Sequence, residues 1–262
     1  MILVGTAGFS YADWRGVFYP EAIKAGDMLA FYCRYFPCLE IDFTYYQLPA
    51  RKTIEGLLRK APDDFSFIIK ANRKMTHEIG DPSSVEEAFG AFTYAIQPLL
   101  EAGKLGGVLY QFPFAFRPTP ANVSYLKGLQ ERMPGAAVIV EYRNASWYAP
   151  WVFSMMKEAQ LAFCAVDEPE IKGLMPRVVQ ATATPGYVRF HGRNKEKWYN
   201  HKNVSERYDY LYSREELMEW VGRIRELDRE VGLTYVIFNN CHHGSAPRNA
   251  LDMQLLLEAG TS

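Results

Sequence analysis

Eight short apolar runs recur along the chain, and their spacing limits the folds open to it. They are "ILVGT" (2–6), "LEIDFTY" (39–45), "FSFIIKA" (65–71), "GGVLYQF" (106–112), "AAVIVEY" (136–142), "LAFCAVD" (161–167), "YVRFHG" (187–192) and "TYVIFNN" (234–240). Several are apolar without alternation, the pattern of strands covered on both faces in a parallel sheet. The segments between them carry helical periodicity. "SVEEAFGAFTYAIQPLLEAG" has acidic residues in its first turn and Gly103 beyond its end, which suits the helix dipole and a C-cap. "SREELMEWVGRIRELDREVG" opens with Ser213 and Glu216 in capping-box spacing and closes at Gly232. Further helices are expected over 26–35, 51–60, 119–132, 151–159 and 246–258. Residues 168–186 show no helical pattern.

Strands alternating with helices over 262 residues predict an α/β chain forming a single (β/α)8 TIM-like barrel over 1–262, irregular around 168–186. A doubly wound open sheet is the alternative. No low-complexity linker, composition shift or internal repeat divides the chain. At 48% hydrophobic it can fill a core of this size. "MILVGTAGF" reads as a first strand, not a signal peptide, and no run reaches the roughly 18 apolar residues of a membrane span. Cys33, Cys38, Cys164 and Cys241 form no CxxC pair, so reduced thiols and a cytoplasmic location are expected.

Either fold places its ligand site at the carboxyl ends of the strands. Those ends are polar: Arg15; Asp42, Tyr45 and Tyr46; Lys70, Arg73, Lys74 and His77; Gln111; Glu141 and Arg143; Asp167 and Glu168; Arg189 and His191; Asn239, Asn240, His242 and His243. The segments "GTAGFSYADWRGVFYP", "EIDFTYYQLP", "KANRKMTH", "YQFPFAF", "EYRNASW", "YVRFHG" and "FNNCHHGSAPRNA" also resemble, in order, the signatures of the YecE-like family, Domain of Unknown Function 72. The resemblance spans nearly the whole chain. It implies a TIM-barrel-like fold and no particular reaction. Ala7 and Phe9 stand where that family usually shows Ser and Trp, Asp42 where it commonly has Asn, and His242 and His243 fall in a variable part of the last signature.

Metal, nucleophile and nucleotide motifs are weak. Glu141, Asp167, His191 and His242 have ligand chemistry, but no HExxH or HxH supports them, and no metal is assigned. No GxSxG, SxxK, GxGxxG or Walker element occurs, and no cofactor is implied. Glu141 and Arg143, two residues apart on one strand, point alike; their ion pair would keep Glu141 ionised and unsuited to be a general acid. His191 is a candidate for proton transfer because an ordinary imidazole titrates near 6.5.

The strongest pattern is electrostatic. The net charge is −1, yet residues 187–207 hold six Lys or Arg against Glu196 and Glu206, with aromatics interleaved. Guanidinium groups grip phosphates, and aromatic rings stack on bases or sugars. The expectation is therefore a phosphate-bearing ligand, with nucleic acid as the leading candidate, at the C-terminal face. Lys70, Arg143, Arg189 and Arg193 are expected to bind phosphate, Asn240 to add a polar contact, and Trp14, Tyr46, Trp147 and Trp198 to stack. His191 with Glu141 or Asp167 would carry any hydrolytic or acid–base step. A small-molecule enzyme acting on a sugar phosphate and a non-catalytic nucleic-acid-binding or adaptor protein are the rival readings.

Overall fold

A computed structural model describes residues 1–259; the last three residues of the expected domain, 260–262, lie outside the described residues. Eight parallel strands pair in sequence order and close on themselves, β1 (Ile2–Ala7) pairing with β8 (Thr234–Phe238). Between them run β2 (Cys38–Ile41), β3 (Ser66–Lys70), β4 (Leu105–Gln111), β5 (Val138–Glu141), β6 (Leu161–Asp167) and β7 (Gly186–Phe190). The closed (β/α)8 barrel has the strand count and order expected from the apolar runs, and no helix among the described residues is long and apolar enough to cross a membrane.

The helices α1 (Met28–Tyr32), α2 (Phe43–Tyr46), α3 (Arg51–Leu58), α4 (Pro82–Glu101), α5 (Pro120–Lys127), α6 (Leu129–Arg132), α7 (Pro150–Glu158), α8 (Arg214–Val231) and α9 (Ser245–Glu258) lie between and after the strands. In α8 the expected capping box forms: the Glu216 amide donates to Ser213 Oγ at 3.3 Å and the Ser213 amide to Glu216 Oε2 at 2.9 Å. Leu217, Trp220, Ile224 and Leu227 recur every three or four residues and are buried. Burying each contributes about 1.5–3 kcal/mol, which holds α8 on the barrel.

The structure departs from expectation in three places. The second run is strand only to Ile41; Phe43–Tyr46 forms a short helix, within which Thr44 Oγ1 donates to the Lys70 carbonyl at 2.6 Å. The helix expected over 119–132 breaks at Gly128 into α5 and α6. Of the stretch 26–35, only Met28–Tyr32 is α-helical. Residues 168–185, as expected, carry neither helix nor strand before β7 begins.

Candidate functional site

Alternation along each strand sends every second side chain into the barrel and its neighbours toward the helices. On β7 the inward positions are Tyr187 and Arg189, with His191 continuing the row, and Arg189 is fully buried. A guanidinium sealed in a barrel needs counter-charge on both sides. Arg189 Nη1 donates to Glu141 Oε2 and Nη2 to Glu40 Oε1, each at 2.6 Å. Tyr187 donates its hydroxyl to the other Glu40 oxygen at 2.7 Å. Burial raises the pKa of Glu40, which Arg189 opposes and Asp42 reinforces. Burial also works against ionised Glu141, but Arg189, Arg143 and His191 together hold its carboxyl well below the usual range.

One layer nearer the mouth, Arg143 binds two carboxylates: its Nε lies 2.9 Å from Glu141 Oε1, and Nη1 donates to Glu168 Oε2 at 2.8 Å. The expected Glu141–Arg143 pair is therefore present. His191 Nε2 faces the same Glu141 oxygen at 3.2 Å, and Asn239 Nδ2 lies 3.0 Å from its Nδ1. A donating Asn239 leaves the ring proton on Nε2, toward Glu141. Burial, then Arg143, pushes the imidazole down to about 3. His191 is thus neutral at physiological pH, which removes the titration near 6.5 on which its expected proton-transfer role rested.

Above this layer opens a cleft of about 340 Å³. Lys70, Arg143 and Arg207 bring three cations to its wall; Tyr45, Tyr46, Phe114, Trp198, Tyr199 and Tyr208 bring six aromatic rings; among the described residues no carboxylate lines it. Lys70 Nζ sits 4.9 Å from the centre of the Tyr45 ring. Trp198 packs under two guanidiniums, Arg143 at 5.8 Å and Arg207 at 5.3 Å, and its carbonyl accepts from Arg207 Nε. The basic loop after β7 is thereby seated over the barrel mouth. It leaves the strand at Gly192, whose φ of 90° favours glycine and where a Cβ would meet Tyr210 Cβ at 2.7 Å. His77, also on the wall, is pushed down to about 4 by burial, Lys70 and Arg143.

Of the side chains expected to bind ligand, Tyr46, Lys70, Arg143 and Trp198 meet at this cleft, and the others are placed elsewhere. Arg189 is consumed by Glu40 and Glu141 beneath it. Arg193 turns outward, where Asp167, Glu216 and Glu219 all bind it. Trp14 and Trp147 are fully buried and donate their indole NH groups to the carbonyls of Cys241 and Phe116, so neither offers a face for stacking. Asn240 holds Tyr210 and Asn249.

Asp167 lies outside the cleft wall. It faces the helix layer, accepting from Trp220 Nε1 at 2.7 Å, Tyr212 hydroxyl at 2.8 Å and Arg193 Nη2 at 2.8 Å. Its neighbour Glu168 takes the inward position. His242, for its part, pairs with Asp209 at 3.2 Å. The four residues with ligand chemistry therefore do not converge, and among the described residues no group of three or more His, Cys, Asp or Glu is arranged to hold a metal ion. Glu40 was missed although a carboxylate inside the apolar run "LEIDF" signals a buried counter-ion. Tyr208 lies outside every apolar run, with nothing in the sequence to mark it.

An eight-stranded parallel barrel with a buried ion network below a cationic, aromatic cleft defines a TIM-like barrel whose candidate site is at the C-terminal face. The chain belongs to the family described as "Protein of unknown function DUF72", whose model matches residues 3–262. The UPF0759 protein YunF of Bacillus subtilis (strain 168) is 35% identical over 271 residues, covering 98% of this chain and 95% of that protein. A DUF72 family protein of Thermotoga maritima MSB8 superposes with a TM-score of 0.90 at 41% identity, over 98% of this chain and 99% of the other. One from Enterococcus faecalis V583 does so with a TM-score of 0.88 at 29% identity, over 100% and 97%.

Proposed function

We propose that the cleft at the barrel's C-terminal face binds a phosphate-bearing ligand that also carries a planar ring, and that a nucleic-acid strand is that ligand. The observation that carries this reading is the wall itself: three cations, six aromatic rings and, among the described residues, no carboxylate, in a chain of net charge −1. Cations so placed attract phosphate oxygens, and each ring offers a stacking surface to a base. The volume, about 340 Å³, is at the small end for ligand sites and suits one nucleotide unit. Tyr46, Phe114 and Tyr199 are exposed at the rim, where flanking bases of a strand would lie.

A sugar phosphate held in the same cleft is the second reading, favoured by that small volume. Fluorescence anisotropy of a labelled single-stranded oligonucleotide, between about 50 and 200 mM salt, separates the two. A strand gripping several phosphates weakens steeply with salt. A single phosphate gives a shallow slope, measured in parallel by displacement with a nucleoside or sugar monophosphate. If neither probe binds at low salt, the electrostatic reading is wrong.

A further inference from the structure

Of the three cations on the cleft wall, Arg143 alone is ion-paired to carboxylates among the described residues. Its Nε faces Glu141 and its Nη1 holds Glu168, so an incoming phosphate that grips both Nη groups must compete with Glu168. Glu141 is the harder to displace, since Arg189 and Arg143 bind it and His191 faces it. Glu168 contacts a single cation, through Oε2. Its Oε1 is buried without a hydrogen-bond partner. Once Oε2 loses Arg143, an ionised Glu168 would be a buried charge with no counter-ion, and a carboxylate in that position takes up a proton instead.

We propose that an anion entering the cleft takes Arg143 Nη1 from Glu168, and that Glu168 accepts a proton from solvent as it lets go. This rests on the phosphate-binding reading of the cleft and deepens it: the site exchanges an internal carboxylate for the ligand's anion, and binding is proton-linked. The step is an acid–base exchange only, carboxylate plus proton giving the neutral acid, with no bond of the ligand changed. Glu168 is a positioning residue here, acting through Arg143.

The groups facing Glu168 are Arg143 and Glu141 from the β5 row and the backbone amide of Met175 from the 168–185 segment. Arg177, farther along that segment, is turned to Asp167, Glu170 and Glu219. Burial, moderated by Arg143 and reinforced by Glu141, already brings the Glu168 carboxyl up to about 7 in the free protein. Below that pH Glu168 is protonated before the anion arrives, and binding costs no proton.

The test uses a dinucleoside monophosphate, whose single diester does not titrate in the range studied. Its binding is followed by calorimetry from about pH 6 to about pH 8.5, in two buffers of different ionisation enthalpy. The affinity is expected to be level below about 7 and to fall by up to tenfold per pH unit above it, with uptake approaching one proton per probe. Glu168→Gln is expected to abolish both the slope and the proton uptake, and to bind at the highest pH as tightly as the wild type at the lowest. Binding without proton uptake by the wild type at about pH 8.5 overturns the proposal and leaves the phosphate reading standing. A slope that persists in Glu168→Gln also overturns it and transfers the linkage to another group, Glu40 under Arg189 being the next. Should Glu168→Gln fail to fold, the wild-type proton count decides alone. No binding at any pH overturns both this proposal and the reading beneath it.

Discussion

Arg189 and Glu141 meet at 2.6 Å in the middle of the barrel, with both side chains closed off from solvent. The pair continues to Glu40 on one side and through Glu141 to Arg143 on the other, so charge runs across the interior from β2 to β5 and up to the cleft floor. Such a network stabilises little in total but is costly to cut, because each member's desolvation is compensated only by the others.

Replacing Arg189 with Met should therefore destabilise the fold by about 3–5 kcal/mol, read from urea unfolding, by leaving Glu40 and Glu141 buried without their shared cation. Adding Glu40→Gln and Glu141→Gln to that variant should recover much of the loss. A single variant as stable as the wild type would mean that the network contributes nothing.

Asp167→Asn should cost about 1.5–3 kcal/mol, since it removes the charge that Arg193, Tyr212 and Trp220 share between the barrel and α8. Affinity for the oligonucleotide should stay within about twofold, because the side chain faces away from the cleft. A large loss of affinity at unchanged stability would place Asp167 in the site after all.

Lys70→Ala and Arg207→Ala should each weaken binding of a single strand and lower its salt slope by about 0.7, the value for one phosphate contact. Lys195→Ala, which lies outside the cleft wall, should change the slope less. Equal effects at all three positions would point to a diffuse basic loop and not to the cleft.

Stability should respond to pH through opposed groups. Glu168, raised to about 7 chiefly by burial, holds a proton in the folded state between the unfolded carboxyl value of about 4.3 and 7, so its contribution falls as pH rises through that window. His191, lowered to about 3 by burial and Arg143, is neutral when folded while the unfolded ring still binds a proton below about 6.5. Its contribution therefore rises with pH over much of the same window. Glu168→Gln removes the falling contribution. Its unfolding free energy should climb between pH 4.5 and 6.5 more steeply than the wild type's, by up to about 1.4 kcal/mol per pH unit. Urea curves at the two ends that shift in parallel for both proteins would contradict this.

The barrel was legible because covered parallel strands must be apolar along their whole length, and because α8 carries its own start and stop signals in Ser213, Glu216 and Gly232. The gathering of polar strand ends on one face followed from the fold. What a linear reading does not carry is which way each of two adjacent polar residues points. Asp167 and Glu168 are equally polar and equally terminal, yet one meets α8 and the other Arg143. The same limit applied to Arg189: its inward direction was readable, but its consumption by Glu40 depends on a distance across the barrel that no spacing encodes. Tryptophans misled for a different reason, since Trp14 and Trp147 carry an indole NH that a nearby carbonyl satisfies just as well inside the protein.

The Asp167–Glu168 dipeptide has a consequence for how β6 finds its place. A slip of one residue would turn Asp167 into the barrel and Glu168 out against Trp220, stranding Arg143 and Arg193 at once. The rest of β6, "LAFCAV", is apolar on both sides and would tolerate either setting. Its alignment between β5 and β7 is thus keyed by two consecutive carboxylates of opposite aim, a polar index mark on a strand whose greasy faces are interchangeable.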